Sequence, residues 1–171
     1  MKKFLIFILF LPLLGCNNII KNKQTYIDFN CPRIFFSADD RFFIESADKN
    51  PTLDNIILKA ELNNFAINKE CQRKDNIAII PLEILIVAQP MKNIENSEIN
   101  IPVFINLLDQ DDNILETQYF MVSDFMKINP QSNIIVETDI ITTLEVITQN
   151  LETAQVVIGF MIGNKKREIL N

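Results

Sequence analysis

The chain contains no histidine and no tryptophan, and only three glycines among 171 residues. Without histidine, the commonest general base and the commonest zinc ligand are both missing. Nucleophilic catalysis needs a Ser, Thr or Cys with a base in reach, and no Gly-x-Ser-x-Gly elbow supplies one. The lack of tryptophan removes the strongest platform for stacking on sugars or bases. So few glycines exclude collagen-like and glycine-loop architectures. Basic charge is also short, with 16 Lys and Arg against 22 Asp and Glu, giving a formal net charge of -6. An acidic body with a pI near 4.7 argues against nucleic acid as a partner. What remains is greasy: 48% of residues are hydrophobic and 22% charged, which excludes a disordered polymer. At this length one domain with a short appendage is expected.

The appendage is at the start. Met-Lys-Lys is followed by an unbroken apolar run from Phe4 to Leu14, the layout of a secretory signal. The run is too short to cross a bilayer core of ~30 Å, which takes about 20 apolar residues. Its end, Leu13-Leu14-Gly15-Cys16, resembles the bacterial lipobox. The resemblance implies that residues 1–15 are a lipoprotein signal peptide, cut so that Cys16 begins the mature chain. Cys16 would then carry the lipid, and its two or three acyl chains hold a membrane stably where one does not. In the sorting rule for such proteins, Asp after the lipidated Cys retains them at the inner membrane. Asn17 stands there, which points to the outer membrane and a periplasm-facing domain. Cleavage removes Lys2 and Lys3 and takes the formal charge from -6 to -8, so the body should stand off anionic lipid. Residues 16–30 show no clean period and read as a lipidated tether with a reach on the order of 45 Å.

With Cys16 assigned, two thiols remain, Cys31 and Cys71. An even remainder in an exported domain reads as a disulfide. The alternative, a redox or metal site, lacks a Cys-x-x-Cys pair and a third soft ligand.

From Cys31 onward the pattern is strand upon strand, beginning with the short apolar run Ile34 to Phe36, after which Ser37 to Phe43 reads as a helical turn or a loop. Ile56, Leu58, Ala60 and Leu62 alternate with charged or polar neighbours, and a phase change near Asn63-Asn64 predicts a bulge. Ile80, Leu82, Ile84 and Ile86 line one face of the most β-branched stretch, where Pro81 is expected to face an edge or a bulge. Ile101 to Leu107 and Ile114 to Phe125 flank Asp109-Gln110-Asp111-Asp112-Asn113, a hairpin turn signal. Further strands are expected over Ile134–Ile140 and Val156–Ile162, with a short helix or crossover loop over Thr142–Thr153. Lys165-Lys166-Arg167 reads as a solvated tail. Residues 31–171 are therefore expected to form an all-β domain, an antiparallel β-sandwich of about seven strands with immunoglobulin-like topology.

Cys31-Pro32-Arg33-Ile34, the Ala38-Asp39 pair, Cys71 and the closing Val156-x-Ile158-Gly159-Phe160 occur in that order. In this the mature domain resembles a group of small uncharacterised lipoproteins of alphaproteobacteria. That group shares a Cys-Pro-Arg-Val opening, an Ala-Asp step, a second Cys and a late Val-Gly-Phe. The resemblance bears on fold and address, and brings no activity with it.

Chemistry is sparse. Glu137 with Asp139, and Asp39 with Asp40, read as a solvated strand face and a turn. Asp109, Asp111, Asp112 and Asn113 form the densest oxygen cluster, but the calcium-loop pattern lacks its Gly and its terminal Glu, so neither metal nor cofactor is expected. Phe35, Phe36, Phe42 and Phe43 crowd the start of the domain. Adjacent strand residues point to opposite faces, so some of the four are expected to form a contact patch for another protein. The function expected is non-enzymatic: an envelope lipoprotein that holds the membrane through Cys16 and joins another envelope protein. A module binding a small molecule or lipid for a membrane transport system is the alternative, and would show a hydrophobic cavity.

Overall fold

The computed structural model describes residues 26–93 and 97–170. The signal segment, Cys16 and the first part of the tether lie outside the described residues. Among the described residues, twelve strands and one α-helix follow in chain order, with a single 3-10 turn over Leu53–Asn55. They are β1 (Ile27–Phe29), β2 (Arg33–Phe36), β3 (Phe42–Ser46), β4 (Ile56–Ala66), β5 (Cys71–Lys74), β6 (Ile77–Pro90), β7 (Glu98–Leu108), β8 (Ile114–Phe125), β9 (Ile128–Asn129), β10 (Ile134–Ile135), β11 (Thr138–Thr148), β12 (Gln155–Phe160) and α1 (Asn164–Leu170).

The first sheet is organised around β6. Along one edge β6 pairs with β11, from Thr138↔Ala88 to Thr148↔Ala78. Along the other, β4 covers Glu83 to Pro90 and β5 covers Ile77 to Ile79. Pro81, which has no amide to donate, sits opposite the gap these two strands leave. β3 lies outside β4 and β1 outside β5. The expected bulge is present, since the β4–β6 register shifts between Leu62 and Asn64. The second sheet runs β2-β12-β7-β8, all antiparallel except the parallel β2–β12 pair. β9 and β10 form a separate small hairpin.

Alternation explains how the sheets meet. Leu58, Ala60 and Leu62 of β4, and Leu82, Ile84 and Ile86 of β6, are fully buried. They share one hydrophobic cluster with Ile101, Val103, Ile105 and Leu107 of β7 and Val156, Ile158 and Phe160 of β12. Each of the Val, Leu, Ile and Phe side chains among them contributes about 1.5–3 kcal/mol by leaving water. Phe43 of the first sheet meets Phe160 of the second with ring centres 5.9 Å apart.

The fold is all-β and dominated by antiparallel pairing, as the sequence predicts, with several differences. Twelve strands replace about seven: β1, β5, β9 and β10, of two to four residues, are too short to show a period, and β3 begins inside the segment read as a helical turn or loop. The last two strands, β11 and β12, fall in different sheets, whereas an immunoglobulin domain keeps its last two in one. The expected helix or crossover over Thr142–Thr153 is instead mostly strand, because Leu144 and Val146 turn inward with period two. Strand pairing begins at Ile27, inside the segment read as tether. The basic tail, expected to be a plain solvated end, is the helix α1.

Scarcity of glycine shows in the turns. The described residues with left-handed backbone include Asp75, Asp112 and Asn133, with φ of 54°, 63° and 53°. Asp and Asn tolerate that conformation better than other side chains, so they serve where glycine otherwise would.

Candidate functional site

Cys31 and Cys71 are joined in a disulfide, with Cα atoms 5.3 Å apart. Cys71 opens β5 opposite Phe29 of β1, and Cys31 lies between β1 and β2. The bridge therefore ties the strand leading into the second sheet to the first sheet. A polar clasp joins the sheets elsewhere. Glu116 of β8 accepts from Thr148 Oγ1 of β11 at 2.6 Å and from Asn150 Nδ2 at 2.9 Å. Gln118 Nε2 donates to Glu116 at 2.7 Å and to the Ile147 carbonyl at 2.8 Å. Desolvation pushes the Glu116 carboxyl up, but the hydrogen bonds from Thr148, Gln118 and Asn150 together outweigh it and hold it below the ordinary value.

The oxygen cluster at 109–113 is a turn that uses its own oxygens. Asp109 Oδ1 accepts the amides of Asp111 and Asn113 at 2.8 and 2.9 Å, and Oδ2 accepts from Asn113 Nδ2 at 3.0 Å. These bonds, led by the Asn113 side chain, hold the Asp109 carboxyl below its usual value. Among the described residues no three His, Cys, Asp or Glu side chains gather as a metal site would require. Ser46 and Lys49 have Ser-x-x-Lys spacing, but Ser46, at the end of β3, donates its Oγ to the Asp48 carbonyl at 2.7 Å.

The four phenylalanines do not gather into one patch. Phe43 is buried, 6% exposed, and faces the core. Phe36 packs edge-on against Phe65 at 5.5 Å with the Arg41 guanidinium over it. Phe42 is half-buried beneath the Lys59 ammonium, 4.8 Å from its ring centre. Phe35 alone is well exposed, at 43%, on the outward side of β2.

Phe35 belongs to a larger surface that the sequence reading does not assemble. Strand register places three rows across the outward face of the second sheet. Phe35, Val157, Asn106 and Thr117 form the first, and Gly159, Phe104 and Tyr119 the second. Met161, Pro102 and Met121 form the third, with the Met161 amide donating to the Pro102 carbonyl at 2.9 Å. No carboxylate or ammonium is a register partner in these rows, and the Asp40–Arg167 ion pair borders the Gly159 end of the second. Tyr119 and Met121 are 65% and 61% exposed. The Phe104 ring lies flush over Gly159, where an added Cβ would come within 2.4 Å of the ring. The signal for this face is in the sequence: β8 is apolar on both parities, Phe120 and Val122 inward and Tyr119 and Met121 outward.

The third row runs into a cleft of about 540 Å³. Its other walls are the loop after β3, with Lys49 and Pro51, and the start of α1, with Lys165 and Lys166. Arg167 pairs with Asp40, and Lys165 Nζ donates to Asn50 Oδ1 at 2.9 Å, so α1 is fixed to both neighbouring loops.

No family model, curated protein or solved structure matches the chain. No helix among the described residues is long and apolar enough to cross a membrane.

Proposed function

We propose that the protein is a non-enzymatic lipoprotein of the cell envelope, anchored through acyl chains on Cys16, that docks a second envelope protein. In this reading the two sheets are the layers of a β-sandwich on a short lipidated tether, facing the periplasm from the outer membrane. The observation that supports docking most is the outward face of the second sheet: three rows without a charge, and Tyr119 and Met121 mostly exposed. Monomeric soluble proteins seldom present large apolar patches to water without a partner. Tyr and Met are also enriched where proteins meet.

A photo-crosslinking residue at position 119, in cells, tests the reading. The expected result is a reproducible adduct with one envelope protein, absent when the same residue replaces Glu61 on the opposite face. Equal labelling from both positions, or none from 119, overturns it. Anchoring is tested separately. Metabolic acyl labelling should disappear in Cys16→Ala, while persistent labelling removes Cys16 as the site.

A further inference from the structure

The cleft at the end of the docking face has a chemistry of its own. We infer that it is a binding site for a single-chain anionic amphiphile, whose chain lies along Met121, Pro102 and Met161 and whose acidic head meets Lys49, Lys165 and Lys166. This goes beyond docking and does not depend on it.

Three features carry the assignment. First, the volume, about 540 Å³, falls within the ~300–1,000 Å³ range of small-molecule sites. Second, the walls divide by polarity: two methionines and a proline on the sheet side, three ammonium groups on the loop and helix side. Methionine is flexible and polarisable, and adapts to an irregular chain better than a β-branched residue would. Third, the charge is out of character for the molecule. In a chain of net charge -6, the cleft carries three lysines against the single carboxylate of Glu45. None of these lysines makes an ion pair among the described residues: Lys165 bonds a neutral amide and Lys166 lies over the Phe43 ring at 5.1 Å. Unpaired cations beside an apolar wall complement a ligand with an anionic end and an aliphatic body. They disfavour a cationic or doubly basic one.

The test uses methyl-labelled methionine in the full chain, held in nanodiscs of zwitterionic lipid. Met121 and Met161 report the cleft, while the exposed Met91 and the buried Met126 serve as references. Titration with dodecanoate should shift the Met121 and Met161 methyl signals and leave the references in place. Dodecyltrimethylammonium, equal in chain and opposite in charge, should not. The triple variant Lys49→Gln, Lys165→Gln, Lys166→Gln should bind dodecanoate roughly tenfold more weakly, with its reference methyls unchanged. Four results overturn the inference: no shift at Met121 and Met161, equal shifts with the cationic probe, saturation by inorganic phosphate alone, or undiminished binding by the triple variant. The crosslink at position 119 is read independently, so either proposal can fail alone.

Discussion

The two sheets bury equivalent inner faces and dress their outer faces differently. On the first sheet carboxylates stand in most outward rows, although the row of Ile141, Leu85 and Asn64 carries none. Asp139 lies in register with Val87 and Glu61, Thr143 with Glu83 and Ala66, and Glu145 with Pro81. Its exposed isoleucines, Ile141 and Ile147, are separated by those rows. On the second sheet three successive rows carry no charge, and an aromatic ring is laid over the glycine that makes room for it. Isolated apolar residues on a strand face are ordinary, whereas contiguous uncharged rows mark a surface built for contact. Under the proposed docking, the first face needs only to stay in water and the second receives a partner.

The largest expected effect tests what holds the two faces back to back. Replacing both Cys31 and Cys71 by Ala frees the segment that leads from the first sheet into β2 of the second and should cost about 2–5 kcal/mol. Denaturant unfolding of the variant, and of the parent with and without reductant, measures it. A loss below about 1 kcal/mol would mean that the shared core alone fixes the sheets.

Next is a steric test of the second face. Gly159→Ala should cost about 1–3 kcal/mol, since its Cβ meets the Phe104 ring and Asp40. Adding Phe104→Ala should recover part of that loss, because the ring is what the methyl strikes. On the first sheet's outer face, Thr143→Val should stay within about 0.5 kcal/mol. Equal losses at the two positions would erase the steric side of the contrast.

How far the sequence carried these conclusions depends on the residue. Long strands were legible because period two is explicit: Ile80, Leu82, Ile84 and Ile86 point inward as their spacing requires. The Asp109–Asn113 turn and the disulfide were legible from turn chemistry and cysteine parity. Strand partners were not, because neither β11 beside β6 nor β2 beside β12 is near in sequence. The phenylalanine patch misled for the same reason. Local crowding of Phe35, Phe36, Phe42 and Phe43 says nothing about which sheet each residue joins, and β2 and β3 join different ones. The exposed face of the second sheet is assembled from β2, β7, β8 and β12, and only pairing brings them together.

A smaller effect belongs to the polar clasp at Glu116. Its carboxyl is held below its ordinary value in the folded chain, so the clasp contributes fully above the unfolded carboxyl pKa. The contribution is lost as pH falls through the lower, folded value. Glu116→Gln should therefore lower stability at neutral pH by no more than about 1 kcal/mol, since the group is partly solvated. The difference from the parent should shrink as the solution is acidified. Parallel unfolding curves from neutral to acidic pH decide it, and a difference that grows on acidification reverses the sign.

The smallest effect on stability should accompany the largest effect on function. Tyr119→Ser and Met121→Ser, with side chains more than half exposed, should change unfolding free energy by no more than about 0.5 kcal/mol each. Both should abolish co-purification of the crosslinked partner from cells, while Ile141→Ser, equally exposed on the first sheet, should leave it intact. Ile141 is the stricter control than a charged residue, because it removes the same kind of surface from the other face. If Ile141→Ser releases the partner as well, exposure alone explains the binding and the difference between the two faces carries no function. If only the second-sheet variants release it, contact is set by the uninterrupted rows rather than by apolar side chains as such.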